Sequence, residues 1–448
     1  VDLASIFKAY DVRGTYPDQI DEVISYRIGA AFVAFSRAPR VVVGRDMRLS
    51  SYPLSRSFIE GAAGQGADVI DIGLVSTDTL YYASGNYEVP GAMFTASHNP
   101  GNYNGIKLCL AGAAPVGEET GLVEVRALAE RELLPAESAG VVGEKDVLDE
   151  FVDHCLGLVD AGAISPLKVV VDAANGMGGR ILPPLFEKLP VTLVPLYFDL
   201  DGNFPNHPAD PIQIENLAAL RETVLKEKAD LGMAFDGDAD RVFFVDERAQ
   251  PVSGSITTAL VAERVLSKHP GATIVHSLVC SWVVPETIIE NGGMPVRTRV
   301  GHSFVKKVMA ETEAAFGGEH SGHYYFRDNF RADSGVICAL MVLEALSIAG
   351  HPASQVLAPL RRYWNSGEIN TEVMDQDGKL KELAEAYSDA DQDWTDGLTI
   401  EYDEWWFNAR PSNTEPLLRL NVEAEDVETG KSKMEELLTL IRRIPEDG

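Results

Sequence analysis

An apolar strand, a loop rich in Gly or Asp, and then an amphipathic helix recur along this chain, and few folds accommodate that repeat. Val41–Val43 leads into Gly44-Arg45-Asp46 and a helical pattern from about Tyr52 to Gly64. Ala67–Ile72 reads as a further strand, and Gly91–Phe94 runs into Thr95-Ala96-Ser97-His98-Asn99-Pro100. Lys168–Val171 leads into Asp172-Ala173-Ala174-Asn175-Gly176, with a helix after Gly179, and Leu231–Phe235 runs into Asp236-Gly237-Asp238-Ala239-Asp240-Arg241. A third stretch pairs strand Ala272–His276 with helix Val284–Asn291, then strand Pro295–Thr298 with a helix from about Ser303. Such alternation implies α/β units with parallel sheets covered by helices and functional loops at the carboxyl ends of strands. The last stretch differs: Leu398–Tyr402, Trp405–Asn408 and Leu417–Val422 read as short strands before a helix from Val427 to Arg442, a smaller α+β unit. At 448 residues the chain exceeds one ordinary domain. Boundaries are expected near 142, 248 and 358, giving units 1–142, 143–248, 249–358 and 359–448.

Lys and Arg number 38 against 68 Asp and Glu, a net charge of −30. That balance argues against general affinity for nucleic acid or anionic membranes. It also makes each cation inside a motif informative, because an anionic substrate must be held against the overall field. The apolar runs are too short to span a bilayer, and the opening residues show no secretion signal. Cys109, Cys155, Cys280 and Cys338 lack CxxC spacing and read as buried, reduced thiols of a cytoplasmic protein.

Four motifs carry candidate chemistry. Asp236, Asp238 and Asp240 follow an apolar strand at alternate positions, so a curved loop brings three carboxylates onto one hard cation, Mg²⁺ or Ca²⁺ rather than zinc. An EF-hand is rejected because Arg241 stands where its turn glycine belongs and the flanks read as strands. An aspartyl-nucleophile phosphatase shares the strand-to-Asp-x-Asp layout and stays open, as does an acidic solvated turn. Ser97 stands in a constrained polar turn closed by Pro100. No GxSxG surrounds it and no acid orients His98, so a hydrolase triad does not fit. Taken alone the motif reads as a capping serine in a loop, and a phosphoryl group on Ser97 is the alternative where a metal and cations neutralise it. Arg410-Pro411-Ser412-Asn413-Thr414-Glu415-Pro416 offers a guanidinium, two hydroxyls, an amide and backbone N–H groups, an anion cradle. Gly317-Gly318-Glu319-His320-Ser321-Gly322-His323 reads as a binder of sugar hydroxyls or a plain polar turn; zinc at its two histidines lacks a third ligand. Asn175-Gly176-Met177-Gly178-Gly179 lacks dinucleotide spacing and reads as a tight strand–helix turn.

In this order the motifs resemble the α-D-phosphohexomutase family over essentially the whole chain, with Tyr10-Asp11-Val12-Arg13-Gly14 similar to its N-terminal signature. The resemblance implies four domains around a central cleft, the first three sharing one α/β topology. It implies a phosphorylated Ser97, and one Mg²⁺ held by Asp236, Asp238 and Asp240 with a phosphoserine oxygen. It implies Glu319 and Ser321 on the sugar hydroxyls, and Arg410, Ser412, Asn413 and Thr414 on the phosphate that is not reacting. Tyr10, Arg13, Lys107, Arg241, His302 and His323 match positions lining such a site. Phosphoryl transfer needs cations around the transferring group, here Mg²⁺ on one side and Arg13 and Lys107 on the other. His302 is a plausible general base, with Lys107 its rival should its pKa be lowered. The implied reaction interconverts mannose 6-phosphate and mannose 1-phosphate through a hexose 1,6-bisphosphate, which also serves as activator. Glucose phosphates are the alternative substrates, and a monomer is expected. In Leu278-Val279-Cys280-Ser281-Trp282, some relatives carry a basic residue near Val279 or Trp282; here there is none, which removes one expected phosphate or sugar contact.

Overall fold

The computed structural model describes residues 3–412 and 417–443. Four sheets carry the chain. The first runs Val12–Thr15, Tyr103–Leu110, Gly91–Phe94, Arg40–Arg45, Asp68–Leu74, Val142–Glu144, with Ala114–Pro115 beside Tyr103–Leu110. Its central pairs are parallel (Val42↔Ile70, Val43↔Ala92) and one edge is antiparallel (Phe94↔Ile106, Val12↔Ile106). The second repeats the scheme, with Thr192–Leu196, Lys168–Asp172 and Leu231–Phe235 parallel and Val242–Asp246 and Pro251–Val252 antiparallel. The third does so again: Met294–Thr298, Thr273–Ser277 and Phe316–Gly318 are parallel, Tyr324–Phe326 and Ala332–Asp333 antiparallel. The fourth sheet is antiparallel throughout. Three like α/β units and a smaller α+β unit are therefore present, as the strand–loop–helix repeat implied.

The central strands read as unbroken apolar runs because helices cover both faces. Gly91–Phe94 and Leu231–Phe235 are buried at every residue. On the first sheet, helices Glu22–Ser36 and Ser51–Gly64 cross so closely that a Cβ at Gly61 would lie 2.0 Å from the Tyr26 carbonyl oxygen. The strands of the fourth unit run longer than expected, to Trp405–Pro411 and Leu417–Ala424. Pairing continues through Arg410↔Arg419 and Pro411↔Leu418, since backbone bonds do not require apolar side chains. Pro411 lies beyond the last pair on its other side, Leu398↔Ala409, so its missing N–H costs no ladder bond there.

The second and third units share a core that includes Phe151, Val169, Leu185, Ile274, Phe316 and Leu340. Helix Gly335–Ala349 runs through it, with Glu344 held by Arg264 (2.7 Å) and Lys268 (3.0 Å). No single helix among the described residues is long and apolar enough to cross a bilayer.

First and third units are joined by a buried carboxyl. Asp78 accepts from Ser76 Oγ and, across the junction, from Ser334 Oγ at 2.6 Å. Burial pushes Asp78 up to about 7, against the opposing hydrogen bonds from Ser334 and Ser76. An unfolded aspartate titrates near ~4, so between ~4 and ~7 the folded chain keeps a proton that the unfolded chain has released. Stability from this group is therefore greatest in acid and falls as pH rises through that window. Asp78→Asn keeps the hydrogen bonds without the titration. Between pH 5 and pH 8 it should gain about 2 kcal/mol on the wild type in denaturant melts; a constant difference between the two proteins would refute the assignment.

Candidate active site

The buried strand Gly91–Phe94 delivers the chain to the serine loop. Ser97 has φ 48°, in the left-handed region, and its N–H donates to Thr95 Oγ1 (2.9 Å). Arg48 fixes this turn from beneath. Its guanidinium donates to the carbonyls of Ser97 (2.8 Å), Asn99 (2.7 Å), Pro100 (2.7 Å) and Tyr103 (3.0 Å), and its Nε to Asp46 (3.2 Å). Sequence reasoning gave Arg48 no role, and the only trace was a second Arg two residues past Asp46, after a buried strand. The acidic loop approaches closely because residue 237 is glycine: a Cβ there would lie 2.4 Å from the Ser97 carbonyl oxygen.

Asp236, Asp238 and Asp240 are all buried, and a left-handed Ala239 (φ 61°) curves the loop that holds them. One carboxylate oxygen from each lies within 4.8 Å of the other two. Ser97 Oγ donates to Asp236 Oδ2 (2.7 Å), which also accepts from Arg241 Nε (2.9 Å); Arg241 Nη2 reaches back to Ser97 Oγ (3.2 Å). Lys107 Nζ bridges Asp238 (2.8 Å) and Asp240 (2.5 Å), and Thr77 Oγ1 donates to Asp238 (2.5 Å). Burial pushes Asp236 well above the carboxylate range, with Arg241 opposing. Burial also disfavours charge on Asp238, but Lys107 outweighs it and holds that group below the usual range. For Lys107, burial would lower the pKa, and the two aspartates instead raise it well above its ordinary value. Lys107 is thus a fixed cation, and a lowered pKa, the condition for its acting as base, is not met.

From the third unit, Glu319 accepts from Gly301 N–H (2.9 Å) and Tyr325 O–H (2.6 Å). Ser321 Oγ meets His323 Nδ1 at 3.1 Å, and His323 Nε2 stands 3.8 Å from Asp240. The sugar motif therefore abuts the carboxylate cluster. His302 begins helix His302–Thr312, and its ring meets Tyr10 edge-on at 5.3 Å between centroids. Burial, then the charge of Lys306, push His302 down to about 3, and its buried Nδ1 has no hydrogen-bond partner among the described residues. Desolvation of its ring by the packed loop, and then the charge of Arg241, keep His98 well below the ordinary imidazole range. Arg13 donates to Asn99 Oδ1 (2.6 Å) and pairs with Asp11.

Arg410 stands apart from the serine: it donates to Glu368 (2.7 Å), which Arg419 also meets at 3.3 Å. Its charge is nevertheless felt at Tyr10 and His320. Ser412 is buried; Asn413 and Thr414 lie outside the described residues. Trp282, where a basic residue was looked for, joins the third and fourth units, its backbone N–H donating to Glu423 (2.8 Å) and its indole to Glu401 (2.8 Å).

Asp238 Oδ1 and Asp240 Oδ1 are buried with no hydrogen-bond partner among the described residues, a costly condition for a carboxylate. An all-oxygen set with two unpartnered anionic atoms fits a hard divalent cation. Adding MgCl₂ to chelator-treated protein is therefore expected to raise the melting temperature by about 2–4 °C, an effect Asp240→Asn should abolish. Equal responses in the two proteins would contradict the fit.

Models of the phosphoglucomutase/phosphomannomutase family match the chain in four pieces: alpha/beta/alpha domain I at residues 4–133, domain II at 149–250, domain III at 253–363 and the C-terminal domain at 368–440. A phosphomannomutase of Escherichia coli is 39% identical, covering 97% of this chain and 99% of its own. Phosphohexose mutases of Xanthomonas campestris pv. campestris are 38% identical, covering 97% and 99%. Among solved structures, a phosphoglucomutase/phosphomannomutase family protein from Burkholderia thailandensis superposes with a TM-score of 0.88 at 34% identity, covering 98% of this chain and 97% of that one.

Proposed function

Because the chain belongs to the phosphoglucomutase/phosphomannomutase family, and so to the phosphohexomutases, we propose that it interconverts mannose 6-phosphate and mannose 1-phosphate through a phosphoserine at Ser97. The observation that carries this reading is the position of the Ser97 hydroxyl, hydrogen-bonded to Asp236 and Arg241 beside two further buried carboxylates. Asp236, Asp238 and Asp240 would hold one Mg²⁺ with an oxygen of the phosphoserine. When bound, the ion neutralises charge on the transferring phosphoryl group.

The chain's own residues do the rest. Arg241 and Arg13 add positive charge at the serine loop, and Lys107 holds Asp238 and Asp240 in place. Glu319 and Ser321 take the sugar hydroxyls, each exchanging a present partner for substrate. Arg410, freed from Glu368, grips the distal phosphate together with Ser412, Asn413 and Thr414. The sugar hydroxyl's proton goes to His302, whose unpartnered Nδ1 is neutral at pH 7 and becomes more basic when a phosphate dianion arrives beside it. A hexose 1,6-bisphosphate forms, turns, and returns its other phosphate to Ser97; added in trace, it also primes the serine.

Glu319 and Ser321 do not read the 2-hydroxyl in this scheme, so glucose phosphates enter as second substrates. The chain works as a monomer in this reading, and the four buried, unbridged cysteines support a reducing, cytoplasmic setting. The test is ³¹P NMR of mannose 1-phosphate with Mg²⁺ and trace glucose 1,6-bisphosphate, with glucose 1-phosphate in parallel. Mannose 6-phosphate should form at a kcat/KM no lower than that for glucose. Free phosphate without isomerisation would sink the proposal and favour a phosphatase acting through Asp236.

A further inference from the structure

A cavity of about 880 Å³ opens between the first and third units, with Tyr10 in its wall. Among the described residues, Tyr10 is the one it shares with the site assigned above. Six cations line it, Lys8, Arg126, Arg299, Lys306, Lys307 and Arg331, against two carboxylates, Glu118 and Glu119. In a chain of net charge −30 such a concentration of positive charge is not a random sample of the surface.

Two of the six are committed elsewhere. Lys306 meets Asp333 at 2.7 Å and lies over the Tyr81 ring, and Arg126 faces Glu130 at 3.8 Å. Among the described residues the other four, Lys8, Arg299, Lys307 and Arg331, have no carboxylate partner. Arg331 Nε is buried with no hydrogen-bond partner among the described residues, and the Arg299 guanidinium lies over the Phe304 ring, 4.3 Å from its centroid. Like charges gathered without counter-charges repel one another, and an anion relieves that repulsion. The rest of the wall is apolar and aromatic, including Phe7, Phe304 and Phe330. The volume falls within the ~300–1,000 Å³ of small-molecule sites and far exceeds what one inorganic phosphate fills.

We propose that this cavity binds a small organic polyphosphate carrying a flat apolar part, of the nucleoside diphosphate type. The phosphates meet Lys8, Arg299 and Lys307, and the ring lies along the aromatic wall, with Arg299 available to stack on it. Both units contribute, so a ligand here also ties the first unit to the third.

The test is isothermal titration calorimetry of the full chain, saturated with mannose 6-phosphate, using ADP, GDP and pyrophosphate as probes. A nucleoside diphosphate should bind about ten-fold or more tightly than pyrophosphate, and 0.5 M NaCl should weaken it. Arg299→Glu with Lys307→Glu, and independently Lys8→Glu from the other wall, should each weaken binding about ten-fold or more while hexose phosphate turnover stays at the wild-type level. No heat at millimolar probe, binding indifferent to both charge reversals, or pyrophosphate binding as well as the nucleotides would overturn the proposal. The readout is binding, so failure of the proposed reaction would leave it standing, and the reverse also holds.

Discussion

Ser97→Ala is expected to cut hexose phosphate interconversion by about 10⁴-fold or more while the protein stays folded. The magnitude follows from the role: every phosphoryl group in the proposed cycle passes through this one oxygen, and nothing beside it can substitute. His98, an exposed side chain, approaches Ser97 Oγ at 3.2 Å only as a hydrogen-bond partner, and Asp236 accepts rather than attacks. Stability should change little. The lost hydroxyl leaves Asp236 Oδ2 still bonded to Arg241 Nε at 2.9 Å. Serine already carries a Cβ at φ 48°, so alanine brings no new backbone clash there. Thermal melts by circular dichroism, run beside the ³¹P assay, separate the two effects. Turnover above about one percent of wild type in a clean variant would mean that Ser97 is not the nucleophile.

Arg48→Met should produce the second large effect, on stability and turnover together. The wild-type guanidinium is wholly buried and satisfies four backbone carbonyls and Asp46. Methionine fills similar volume but leaves those acceptors unpaired and Asp46 as a lone buried acid, a loss of about 3–5 kcal/mol. Arg48→Lys is the sharper probe. It keeps the charge, but its ammonium has three hydrogens and no planar fork, so it cannot reach the carbonyls of Ser97, Asn99, Pro100 and Tyr103 together. The serine loop should then lose its fixed geometry, with kcat down about 10²-fold and KM changed little. Wild-type kcat in folded Arg48→Lys would show that the loop needs no such clamp.

What could be read in the sequence depended on whether a residue's partner was nearby along the chain. Asp236, Asp238 and Asp240 were legible because a five-residue apolar strand ends directly in them. Ser97 was legible only through the order of the motifs, since a lone serine in a polar turn has no signature. Arg48 was invisible because its acceptors are carbonyls some fifty residues away, which any sequence supplies. Asp78 and Ser334 lie 256 positions apart, and no local pattern announces such a pair. The pairing of Arg410 with Glu368 was hidden in the same way, and so was the burial that makes His302 neutral. The longer hairpin strands of the fourth unit were missed because backbone pairing runs on beneath polar side chains.

The central claim, that Ser97 carries the phosphoryl group, is tested most directly by labelling. The full chain is incubated with ³²P-labelled glucose 1,6-bisphosphate and Mg²⁺, denatured, digested and mapped. The account requires about one label per chain, stable to acid and to hydroxylamine, on the peptide containing Ser97, and absent from Ser97→Ala. Label that hydroxylamine removes, mapping to the peptide of Asp236 and persisting in Ser97→Ala, would contradict it and identify an acyl phosphate instead.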